Sequence, residues 1–122
     1  MKILYEDNHL IAVRKRVGDI VQGDKTGDVP LSDMVKNFLK DKYQKPGNVY
    51  LGVVHRLDRP VSGIVLFAKT SKALSRLNDM FRVGKVDKRY LAIVKNRPQE
   101  IEAELVHYLV RNEQKNRSFA YN

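Results

Sequence analysis

The sequence predicts an α+β fold, on three observations. Short apolar segments with two-residue alternation read as strands. Two stretches with apolar residues at i, i+3, i+4 and i+7 read as amphipathic helices. Between the helices, Leu51–Thr70 places a polar, Pro/Gly-punctuated turn between two apolar runs. Four to six strands with two helices give the α+β expectation.

Residues 2–5 and 10–14 predict two strands, with Glu6, Asp7, Asn8 and His9 as the turn between them. Gly18, in the segment Lys15–Gly18, permits a positive φ. Gly23 to Pro30 is polar and glycine-containing and reads as a loop. Leu31, Met34, Val35, Phe38 and Leu39 then share one helical face. Asp28 or Ser32 is available as its cap, and Pro30 suits a first turn. Lys36, Lys40 and Lys42 form its solvated face, and Lys45–Asn48 ends it.

The central stretch reads L-G-V-V-H-R-L-D-R-P-V-S-G-I-V-L-F-A-K-T. Apolar strands lead in and out of a knot holding His55, Arg56, Asp58, Arg59 and Ser62. Taken alone, a carboxylate between two arginines is an ordinary surface ion pair. A loop fixed by buried strands is also where chemistry is commonly placed. A second helix is predicted from the Thr70 cap to about Val83, burying Ala73, Leu74, Leu77, Met80 and Phe81, with Gly84 at its C-terminal cap. Val86–Lys95 alternates with period two and predicts a strand, and Ile101–Val110 predicts another, with His107 structural. Arg111–Arg117 is a basic turn, after which Ser118–Asn122 begins a further apolar segment.

Composition narrows the function. The 122 residues carry a formal charge of +9, which favours a polyanionic partner. There is no cysteine, which excludes disulfides, thiol catalysis and cysteine-based zinc sites. No apolar run approaches membrane-spanning length, and acidic residues interrupt the N-terminus where a signal peptide would be apolar. A cytoplasmic protein with no membrane partner is the expectation.

The string H-R-L-D-x-x-x-S-G at His55–Gly63 resembles motif II of the RluA-type RNA pseudouridine synthases. Lys88, Tyr90, Ala92 and Val94 match the family's K-x-Y-x-A-x-V strand at the expected distance from that motif. Lys15 and Gly18 match its Lys-Pro-x-Gly segment, although Arg16 replaces the proline. Val61 stands where threonine is usual, and Asn96–Pro98 where the family commonly has glycine.

The resemblance implies a mixed, mostly antiparallel sheet with helices packed on it and a cleft across the sheet. It implies uridine isomerisation in structured RNA, ribosomal or transfer, with no metal or organic cofactor. Asp58 would be the catalytic aspartate and Tyr90 the residue that stacks on the base and relays a proton. Arg56 would enter the RNA stack and help expel the target nucleotide. His55, counted with the substrate-binding residues, would hold the loop rather than transfer protons, while Lys15, Lys88 and Arg89, with the other basic residues at 14–16, 85 and 111–117, would contact phosphate. Attack at C1′, attack at C6 and a glycal route all remain open.

The family's G-R-x-H-Q-I-R-type segment does not occur in these residues. They are therefore expected to be the N-terminal portion of one catalytic domain, without an S4 domain and inactive alone. The full-length enzyme is expected to be monomeric, whereas this portion could self-associate through an open sheet edge. The alternative is a basic RNA-binding module that keeps the fold without catalysis.

Overall fold

A tight hairpin opens the chain. Strands β1 (Lys2–Glu6) and β2 (Leu10–Lys15) pair antiparallel, with a bulge between Ile3 and Tyr5. Asp7 closes the turn, its Oδ1 accepting the amides of His9 and Leu10, both at 2.7 Å. Helix α1 (Leu31–Tyr43), the two-residue strand β3 (Gly52–Val53), strand β4 (Gly63–Ala68) and helix α2 (Ser71–Arg82) follow. The order across the sheet is β1-β2-β4-β3, and every pairing is antiparallel. The computed structural model describes residues 1–122 in two units, Met1–Lys88 and Arg89–Asn122.

Alternation sorts the strand residues between two faces. Ile11 and Val13 of β2, with Val65 and Phe67 of β4, bury themselves against Leu31, Val35 and Leu39 of α1. On the other face, Leu10, Leu66 and Ala68 pack with Ala73, Leu74 and Leu77 of α2. Gly52 permits that contact, since a Cβ there would lie about 3.0 Å from the Leu74 methyls. Met80, expected in the buried stripe, is exposed.

Helix α2 is capped as the sequence predicts: Thr70 Oγ1 accepts the Ala73 amide at 3.1 Å. Helix α1 is not. Neither Asp28 nor Ser32 caps it; Pro30 is the N-cap residue and makes no side-chain cap bond. The Leu31 and Ser32 amides donate instead to the carbonyls of Ile20 and Val21, at 2.7 and 3.1 Å. Returning chain thus supplies the acceptors that a helix N-terminus needs.

Glu6 ties β1 to α1 and to the turn between β4 and α2. Its carboxylate accepts from Lys42 Nζ (2.6 Å), Tyr43 Oη (2.6 Å) and Lys69 Nζ (2.9 Å). Burial pushes this carboxyl up, but the three donors outweigh it and lower its pKa from 4.5 to about 2.

In the second unit, β5 (Tyr108–Asn112) and β6 (Arg117–Tyr121) form an antiparallel hairpin around a turn that contains Asn116 at φ 47°. His107 Nδ1 lies 3.1 Å from Asn122 Oδ1, a local structural contact. Two strand expectations are corrected here. Val86–Lys95 forms no strand, and only the end of 101–110 does so, from Tyr108. A strand exists through its ladder to a partner, and no other strand of this chain pairs with 86–95. Leu91 and Ile93 accordingly stand fully exposed. No helix is long and apolar enough to cross a membrane.

Candidate active site

The loop between β3 and β4 carries the polar knot, and its backbone is fixed by a buried lysine. Lys15 is the last residue of β2 and shares the parity of Ile11 and Val13, so it points inward. It is 0% exposed. Its ammonium donates to the carbonyls of Val61 (2.6 Å), Asp58 (3.0 Å), Arg59 (3.1 Å) and Arg16 (3.2 Å). Burial, reinforced by nearby Arg59, lowers the Lys15 pKa, while the carboxylates of Asp19 and Asp58 oppose it. The expectation that Lys15 contacts RNA phosphate is therefore corrected. A buried ammonium already coordinated by four carbonyl oxygens has no surface to offer a phosphate.

Two further clamps close the loop. The Val61 amide donates to the Asp58 carbonyl at 2.9 Å, and the Gly18 amide to the Arg59 carbonyl at 2.9 Å. Gly18 has φ +93°, the left-handed value foreseen for the turn after Lys15. The Arg59 guanidinium reaches the Gly18 carbonyl (3.1 Å), Asp28 (2.9 Å), Thr26 (3.2 Å) and Asp24 (3.4 Å). The arginine following the motif aspartate thus pins the 23–30 loop against it.

His55 satisfies a strand amide. β3 ends at Val53, opposite Phe67, so the next amide of β4 has no ladder partner on that side. The Leu66 amide donates instead to His55 Nε2 at 3.0 Å, and the ring stacks on Phe81 at 5.3 Å. Burial first, and Lys88 second, lower the His55 pKa and favour the neutral, accepting ring. The accepting Nε2 and the stack on Phe81 tie His55 to β4 and α2.

Against this fixed backbone, the side chains of Arg56 and Asp58 stand exposed. Neither side chain takes part in any intramolecular hydrogen bond or ion pair: Asp58 contributes only its carbonyl. The arrangement is a backbone-anchored loop with a carboxylate and a guanidinium left open to solvent. Lys88 is exposed at the end of the first unit. Arg89 and Tyr90 belong to the second unit, outside regular structure, with Tyr90 65% exposed.

Sequence reasoning missed the structural duties of Lys15 and Arg59. A signal for Lys15 was present, since β2 places it on the same face as Ile11 and Val13. For Arg59 none was available, because its acceptors lie 31 to 41 residues away.

The antiparallel sheet with its two helices carries the H-R-L-D loop between β3 and β4. Residues 9–122 match the family described as RNA pseudouridylate synthase, and the chain belongs to that family, in its RluA-type branch. It is 39% identical over 101 residues to an uncharacterised RNA pseudouridine synthase of Mycoplasma genitalium, covering 77% of this chain and 30% of that one. It is 35% identical over 112 residues to the ribosomal large subunit pseudouridine synthase C of Haemophilus influenzae, covering 92% and 33%. Among solved structures, human RNA pseudouridylate synthase domain containing 4 shares the fold, with a TM-score of 0.58 at 23% identity, over 69% of this chain and 30% of that one. The chain spans about a third of the length of these curated relatives.

Proposed function

We propose that these residues are the N-terminal portion of the catalytic domain of an RNA pseudouridine synthase, which isomerises uridines in structured ribosomal or transfer RNA. The observation that supports this best is the unpaired Asp58 carboxylate on a loop whose backbone is held by Lys15, Gly18 and Arg59. Catalysis rewards such preorganisation, because the reacting group need not be ordered at the moment of reaction.

The reaction breaks the N1–C1′ bond, turns the base and rejoins it through C5, which gives up its proton while N1 gains one. Asp58 is the group that acts on the sugar or base. The three routes, through C1′, C6 or a glycal, all begin with an accessible carboxylate beside the bound uridine. Tyr90 lies against the base and relays the proton, and Arg56 fills the space that the flipped nucleotide leaves. Lys88 and Arg89 hold phosphate, and no metal or organic cofactor takes part.

Asp58→Asn in the full-length protein tests this reading, on ribosomal and transfer RNA from cells lacking the gene. Pseudouridine formation is expected to vanish while RNA affinity changes less than about threefold. A variant as active as the wild type would remove Asp58 from the chemistry.

A further inference from the structure

We infer that the exposed Lys2–Arg14 end of the β1–β2 hairpin is a contact track for the RNA backbone, built from Lys2, Arg14 and Arg16. This rests on the reading of the partner as RNA. Helix α2 packs chiefly on β3 and β4 and meets β2 at Leu10, whereas Lys2 and Arg14 at the other end of that sheet face stand exposed. Lys2 and Arg14 are directly opposed across the pair. Both are exposed, and neither side chain makes an ion pair or hydrogen bond. With Arg16 they line an open groove of about 310 Å³.

Like charges directly opposite on neighbouring strands are destabilising. A solvated surface needs no such pair, and no acidic side chain here relieves it. A phosphate between the two cations would. Arg16 extends the track: Asp19 holds its Nε and Nη2 at 3.2 and 3.3 Å, which leaves Nη1 free to donate. Arg16 also stands where family members usually have proline, so the added charge is this chain's own.

The track has a direction. Arg14 and Arg16 flank Lys15, whose buried ammonium grips the Asp58 carbonyl from the opposite side of the strand. The groove lies at the Lys15 end of β2 and reaches the sheet edge at β1. Tyr5 and Ile64 are exposed on the same face of the sheet. Contacts of this kind set the register and orientation of a nucleic acid rather than read its sequence.

The test uses the full-length protein, a transfer or ribosomal RNA substrate, and affinity measured against salt. Replacing Lys2, Arg14 and Arg16 together by glutamine is expected to reduce the slope of log affinity against log salt by about 2, at about 0.7–0.9 for each phosphate that the protein ceases to neutralise. Lys2→Glu is the second variant. It places a carboxylate opposite Arg14, so the melting temperature should hold or rise while the salt slope falls. An unchanged slope in either variant, or a lower melting temperature for Lys2→Glu, overturns the track. A wild-type protein that forms no pseudouridine yet loses slope on substitution sinks the catalytic reading and leaves the track standing.

Discussion

Lys15→Met is the sharpest probe of how the motif loop is held. The substitution keeps the length and apolar stem of the side chain and removes the ammonium. Of the four carbonyls it serves, three retain a backbone donor. The Asp58 carbonyl keeps the Val61 amide, the Arg59 carbonyl keeps the Gly18 amide, and the Arg16 carbonyl keeps the Asp19 amide. Only the Val61 carbonyl, now 2.6 Å from Nζ, is orphaned. Losing a charge-assisted donor is largely offset by no longer burying an unpaired ammonium. The orphaned carbonyl then dominates, at about 1–3 kcal/mol. With a urea slope of about 1–1.5 kcal/mol per molar, the midpoint should fall by roughly 0.7–3 M. Circular dichroism on this chain reads that shift, and in the full-length protein pseudouridine formation should fall as the Asp58 loop loosens. A phosphate-contacting lysine behaves otherwise: its loss leaves the urea midpoint alone and flattens the salt dependence of RNA binding. That pattern in Lys15→Met would refute the reasoning.

Three further outcomes follow from the same geometry. Glu6 has a folded pKa of about 2 against 4.5, so its contribution is complete above about 4.5 and is lost as pH falls through about 2. Linkage puts it near 3 kcal/mol, reduced by solvent screening at the sheet edge to about 1–2 kcal/mol. Urea titrations of wild type and Glu6→Gln should converge as pH is lowered across that window. The folded pKa of His55 lies below the usual 6.5, so its contribution is present above about pH 6.5 and fades as pH falls through the lower folded value. The protection factor of the Leu66 amide should fall on that acid side, and His55→Phe should abolish the dependence. Thr70→Ala removes the cap on the Ala73 amide and should cost about 1 kcal/mol in thermal or urea unfolding.

What could be read from the residues, and what could not, divides by distance along the chain. The Thr70 cap, the amphipathic stripe of α2, the Asp7 turn and the placement of Asp58 between two buried strands each depend on groups a few residues apart. Periodicity and side-chain chemistry therefore determined them, together with the α+β class. The roles of Lys15, Arg59 and the α1 terminus depend on carbonyls and carboxylates delivered by distant segments, Lys15 and Val61 being 46 positions apart. Only chain closure decides which polar group meets which. The same reason accounts for 86–95. Alternation shows that a segment can present two faces, but a strand forms only where another strand's amides and carbonyls are available, and within this chain none pairs with it.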